Sequence, residues 1–279
     1  MKATKFLPCA AAVLCVPGIA LRAMHLQRGF DIDTGLPILK NGFFLACIGL
    51  FVLCAVLFAV LSAPLRKRRE ATFEQLLGTR SAGFRMTAVV CGLLLAAGGA
   101  CYLYLTMTTA EQDAAVWARV MEMLYAVVTV AAGVSMIVLT KAQGSEMTAS
   151  SAKVTLLPLL WGCIHLLVTY RMTCVDPKLP SFAFGLLADV LLALGFYQLA
   201  RLLFAKPHPA WFAFFSAMAV VLAVSDLGGY GLSYLMGGHV VVWSAKMLLR
   251  SGMTTVGCVL LFAELCLLSR SSAAQREGE

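Results

Sequence analysis

Charge is scarce in this chain. Of its 279 residues only 13% are Asp, Glu, Lys or Arg, about half the roughly 25% of an ordinary soluble domain. That excludes a soluble enzyme, since a water-soluble chain of this size has no core large enough for the apolar remainder. A basic stripe with interleaved aromatics is also missing, which excludes a nucleic-acid-binding module. The ten cysteines contain no CxxC pair and nine of them fall in apolar stretches, Cys174 being the exception. No disulfide framework or zinc site is therefore legible, and in packed helices such cysteines act as small apolar residues. There is no HExxH and no GxSxG, and Gly228-Gly229-Tyr230-Gly231 does not fit a nucleotide-binding GxGxxG. No second membrane histidine is placed to give bis-His haem ligation. No cofactor and no metal is expected.

What remains is apolar. Hydrophobic residues make up 61% of the chain and the mean hydropathy is +0.87, the composition of an all-α integral membrane protein. A hydrocarbon layer about 30 Å thick needs roughly 20 apolar residues of helix. Eight stretches qualify, near Phe6–Leu21, Gly42–Leu65, Met86–Met107, Val120–Thr140, Val154–Tyr170, Phe182–Phe204, Trp211–Met236 and Met247–Ser269. Lys2 and Lys5 before the first run resemble a signal peptide, but Arg22 spoils the small-residue cleavage pattern, so the run is read as a retained helix.

Charge orients the chain. With both termini on the cytoplasmic side, 14 of the 22 basic residues lie inside, including the run Arg66-Lys67-Arg68-Arg69 directly after the second span. This is the positive-inside bias. In the loop that follows, Phe73, Leu76 and Leu77 at helical spacing before Gly78 predict an amphipathic turn on the membrane surface. The tail Ser271–Glu279 is polar and is expected to be disordered.

Short patterns recur in order. Leu7-Pro8 matches Leu157-Pro158, and Arg22 matches Arg171. Asp33 with Leu36-Pro37 matches Asp176 with Leu179-Pro180, Gly98-Gly99 matches Gly228-Gly229, and Val116-Trp117 matches Val242-Trp243. They predict two parallel four-helix repeats, residues 1–141 and 142–279, related by an axis along the membrane normal. On that basis Gly98 and Gly228 should occupy equivalent places.

Ionisable residues within spans cost about 2.5–3.5 kcal/mol on insertion scales and face protein or water. Five stand out, namely Glu122, His165, Asp189, Asp226 and Glu264. Their repeat equivalents, Leu248, Val16, Ala46, Ala96 and Val138, are apolar, so the duplicated fold does not require them. Glu122 near Arg119, and Glu264 near Arg201, are expected to be structural ion pairs. His165, six residues from Arg171, lies roughly 9 Å deep, and Asp189, seven residues from Phe182, roughly 10–11 Å. With Asp226 near the midplane they form a candidate intramembrane polar site, able to serve as a proton or cation relay. Asp31 and Asp33 faintly resemble a calcium loop, but Gly42 stands where its bidentate Glu belongs, so a turn is expected.

The segment Arg28-Gly29-Phe30-Asp31-Ile32-Asp33-Thr34-Gly35-Leu36-Pro37 resembles the first outer loop of a group of uncharacterised multispanning membrane proteins of clostridia-type bacteria. The resemblance implies a bacterial cytoplasmic membrane and carries no activity or site residue. The sequence thus points to a permease or channel-like component for an ion or small solute. Its alternatives are a membrane anchor subunit, with or without a quinone pocket, and a non-catalytic sensory or structural protein. An enzyme ranks last. The lipid bilayer is the partner implied, with an unidentified protein partner subunit left open and no nucleic acid expected.

Overall fold

The computed structural model describes residues 2–31, 36–38, 40–68, 71–109, 116–143, 153–154, 156–173, 179–204, 207–238 and 244–274. Asp33, Asp176, Trp243 and the last five residues, which carry several of the sequence expectations, lie outside them. The described residues form helices and no strand, apart from an isolated bridge between Phe30 and Pro37. Eight long helices make up the body: α1 (Leu7–Arg28), α2 (Gly42–Ser62), α3 (Ala82–Thr108), α4 (Val116–Gln143), α5 (Leu156–Thr173), α6 (Leu179–Leu203), α7 (Pro209–Leu235) and α8 (Ala245–Ala274). Seven of them are long and apolar enough to cross a membrane, and α5 contains a shorter apolar helix, Leu156–Met172. This is a multi-pass membrane protein.

Local sequence explains where helices start. Pro8 and Pro209 sit in the first turns of α1 and α7, where the missing N–H costs nothing. Asn41 caps α2, its side-chain oxygen accepting from the N–H groups of Phe43 (2.9 Å) and Phe44 (3.2 Å). Its amide also donates to the Arg28 carbonyl at 2.7 Å, tying the end of α1 to the start of α2.

Packing sorts the helices. A closed circuit runs α3, α4, α5, α6, α7, α8 and back to α3, while α1 and α2 pack on the outside of α7. Helix α7 is the most enclosed, with 72% of its span buried against 22% for α2. The outward faces carry Val13, Val16, Val52, Val56, Leu93 and Leu94, all exposed, as a bilayer requires. Glycines set the closest contact. A Cβ on Gly92 would meet the Gly133 carbonyl oxygen at 2.6 Å, and one on Gly133 would meet that of Gly92 at 2.5 Å, so α3 and α4 touch backbone to backbone.

Two expectations need correction, and the expected repeat finds no support in the helix pairing. Gly98 faces Met253 of α8, whereas Gly228 faces Ile19 of α1. Helix α6 packs along α7 while α2 and α3 make no comparable contact, so the two halves are paired differently. The matched residues are helix starts and close-approach glycines, which any membrane helix uses. Next, the Phe73–Leu77 turn, opened by a Thr72–Gln75 capping box, turns its apolar side to protein and not to lipid. Phe73, Leu76 and Leu77 are buried against α8, and Ser271 donates to the Leu76 carbonyl at 2.9 Å. Finally, Ser271–Ala274 of the expected disordered tail continue α8 as helix.

Candidate functional site

Helices α5, α6, α7 and α8 enclose a cavity of about 220 Å³. Its mouth is at the end of the bundle where α5 finishes and α8 begins, beside the exposed Ser244. Its floor is polar and buried, formed by His165, Asp189 and Thr254. Below the floor, Trp161, Leu192, Phe196 and Leu261 are completely or almost completely buried. Gly257 keeps that level tight, since a Cβ there would meet Trp161 at 3.1 Å and Leu192 at 3.2 Å.

All three residues of the expected polar site line this cavity, but in two separate arrangements. The first runs across the floor. The Tyr125 hydroxyl of α4 is 2.8 Å from His165 Nδ1, and His165 Nε2 is 2.8 Å from Thr254 Oγ1. Thr254 then donates to Asp189 Oδ1 at 3.3 Å, and His165 Nε2 itself is 3.4 Å from that oxygen. With His165 as the Nε2–H tautomer every donor is used once, in one direction from Tyr125 to Asp189. Helices α4, α6 and α8 each contribute one residue to this chain, and α5 holds the imidazole between them.

The second arrangement lies on the wall. Asp226 of α7 accepts from Arg22 Nε of α1 at 2.7 Å, an ion pair with the arginine 0% and the aspartate 5% exposed. The guanidinium is clamped further by His25 Nδ1 at 2.6 Å and by the Tyr230 hydroxyl at 3.4 Å. It also lies over the rings of Phe184 (4.8 Å) and Tyr230 (5.3 Å), stacking that a planar cation favours. Gly185 is needed here, because a Cβ on it would come 2.7 Å from Asp226 Oδ2. Asp226 is therefore charge-matched from behind and does not extend the floor chain.

The expected ion pairs are not those formed. Glu122 pairs with Lys246 of α8, Nζ to Oε2 at 2.8 Å, while Arg119 is exposed. Glu264 is fully buried in α8, but Arg201 lies over the Tyr197 ring at 5.7 Å and no ion pair joins the two. Arg22, His25 and Arg250 were not legible as site residues. Charge counting assigns Arg22 and Arg250 to the outer ends of the first and eighth spans, yet they are 0% and 6% exposed. The available signal was the apolar Ala23-Met24-His25-Leu26 beyond Arg22, which lets α1 continue to Arg28.

Arg250 lines the cavity between floor and mouth. Its one polar contact is Nη1 to the Met172 sulfur, and its Nε has no partner. No group of three or more His, Cys, Asp or Glu among the described residues is placed to hold a metal ion. Chemically the cavity offers a guanidinium, a carboxylate, an imidazole and several hydroxyls around a space sized for a small solute. No protein family, curated protein or solved structure matches the chain.

Proposed function

We propose that this chain is a permease or channel-like component for a small solute, in the cytoplasmic membrane of a bacterium, with the α5–α8 cavity as its solute site. All eight helices cross the bilayer in this reading, and both termini and the Arg66–Arg85 segment are cytoplasmic. Antiparallel contacts between successive helices support it: Gly162 near the start of α5 faces Ala193 in the later half of α6, and Gly185 near the start of α6 faces Asp226 in the later half of α7. The shorter α5 is flanked by α4 and α6 and so sits at the same level.

The observation that carries the functional reading is the one-sided cavity. A polar chamber reached from one end of the bundle and backed by an apolar plug is the arrangement of a solute site in one state of an alternating-access cycle. A buried polar chamber is also costly to the fold unless filled, which a purely structural protein has no reason to keep. In the proposed orientation its mouth faces away from the cytoplasm.

The test is flux. Purified protein in proteoliposomes should take up a small polar solute above protein-free vesicles, and Asp189→Asn should abolish uptake while reconstitution is unchanged. Uptake equal to empty vesicles across ion and small-solute panels would favour the anchor or sensory readings. Orientation is tested separately, on a cysteine-free background: an impermeant thiol reagent should label Thr34→Cys from outside and miss Gln75→Cys.

A further inference from the structure

Arg250 and Asp189 line the same cavity, carry opposite charges, are 6% and 4% exposed, and do not touch. Attraction between opposite charges rises steeply as the local dielectric falls, so two such groups with freedom to move would pair. The fold keeps them apart. Asp189 is held at the floor through Oδ1 by Thr254 and His165, and among the described residues no hydrogen bond reaches its Oδ2. Arg250 is drawn the other way, toward Met172 of α5, and keeps an unpartnered Nε. The other acid of the cavity does not supply the missing partner, because Asp226 is already matched by Arg22. Lys246 is likewise engaged by Glu122 and does not neutralise Asp189.

We propose that this pair reads a short zwitterion, an α- or β-amino acid, whose carboxylate lies on Arg250 and whose ammonium lies on Asp189; the proposal rests on the cavity being a solute site. Charge selects the class. A simple anion on Arg250 would face the unmatched Asp189 carboxylate, and a simple cation on Asp189 would face the guanidinium. Each would leave one buried charge without a partner, the more costly state. A solute carrying both signs satisfies both.

Volume limits the size: at about 30 Å³ for each water in the liquid, 220 Å³ is room for roughly seven such units, enough for a small amino acid. The hydroxyls of Ser251 and Tyr230 complete the lining.

The test uses the full-length protein in detergent, with binding read by the rise in unfolding temperature and by equilibrium dialysis. The probes are the twenty standard amino acids and β-alanine, with propionate and ethylamine as fragments. At least one amino acid should bind, and propionate and ethylamine should not at the same concentration. Arg250→Gln and Asp189→Asn should each weaken binding about 10- to 100-fold, the size expected for one charge-assisted contact. Should either variant fail to fold, Ser251→Trp, which fills the cavity from a half-buried position, should abolish binding while both arginine and aspartate remain. Failure of every amino acid to bind overturns the proposal, as does equal binding of propionate or binding that survives both charge variants. Amino-acid binding without flux in proteoliposomes keeps this inference and overturns the permease reading; flux of another solute without amino-acid binding does the reverse.

Discussion

Arg22 and Asp226 meet at 2.7 Å inside the bundle, 204 residues apart in sequence, and join α1 to the central helix α7. Because both are buried, the pair is judged by what its removal leaves behind. Breaking a buried pair by deleting one partner costs about 3–5 kcal/mol, whereas replacing both with apolar groups is often neutral.

Arg22→Met should therefore lower the unfolding temperature strongly, by stranding Asp226 in an apolar wall. The double variant Arg22→Met/Asp226→Leu should recover most of the loss. Thermal unfolding followed in detergent checks both. An equal loss in the single and double variants would mean that the aromatic clamp from Phe184 and Tyr230, not charge, holds α1 in place.

A second prediction concerns Glu122. In a double-mutant cycle, Glu122→Gln and Lys246→Met should show coupling, because their charges are 2.8 Å apart and largely buried. The same cycle with Arg119→Met should show none, within about 0.3–0.5 kcal/mol. Coupling to Arg119 instead would contradict the Glu122–Lys246 ion pair that joins α4 to α8.

These two cases show where the sequence was legible and where it was not. Asp189, His165 and Asp226 stand out in the sequence because an ionisable residue inside an apolar run has few explanations, and all three line one cavity. Their partners were not readable. Sequence logic pairs a charge with its neighbour one turn away, as Arg119 with Glu122, but partners in a bundle come from whichever helix packs alongside. Lys246 and Arg22 are separated from the residues they pair with by 124 and 204 positions. Seven spans were legible from hydropathy alone, the fifth expected span being the shorter apolar helix Leu156–Met172, and Arg22 hid the last turns of α1. A guanidinium clamped by Asp226, His25 and two rings does not end a helix. The ordered short matches between the halves do not carry over to the helix pairing, for a related reason. They report what membrane helices need locally, and helix pairing is decided by side chains elsewhere.

Glycine contacts give a third prediction. Gly133→Leu should disrupt the α3–α4 pair, since even its Cβ would lie 2.5 Å from the Gly92 carbonyl oxygen. A loss of unfolding temperature is expected, together with a smaller yield of monodisperse protein on size exclusion. Gly49→Ala, at a position where a Cβ meets nothing within 4 Å, should be neutral or slightly stabilising, because Ala is the better helix former. Equal behaviour of the two would show that α3 and α4 adjust freely, and that their close approach does not depend on the missing side chain.

The last prediction separates the floor chain from packing. Tyr125→Phe removes one hydroxyl and leaves His165 Nδ1 without its donor, yet it keeps the ring that stacks edge-on against Tyr102 at 5.0 Å. Thr254→Val removes the hydroxyl between His165 and Asp189 at nearly constant volume. Each strands a buried polar atom, and a loss of about 1–3 kcal/mol in stability is expected from that alone. If the chain also positions Asp189 for a solute, the two variants should differ in binding. Thr254→Val leaves Oδ1 held by His165 Nε2 alone, at 3.4 Å, and loosens the aim of the carboxylate, so it should weaken solute binding. Tyr125→Phe acts two links away and should leave binding nearly unchanged. Comparing the stability loss with the binding loss for both variants decides the matter. Parallel losses in both quantities would make the chain a structural strut of α4, α5 and α8; a binding defect confined to Thr254→Val would make Thr254 the residue that aims Asp189 into the cavity.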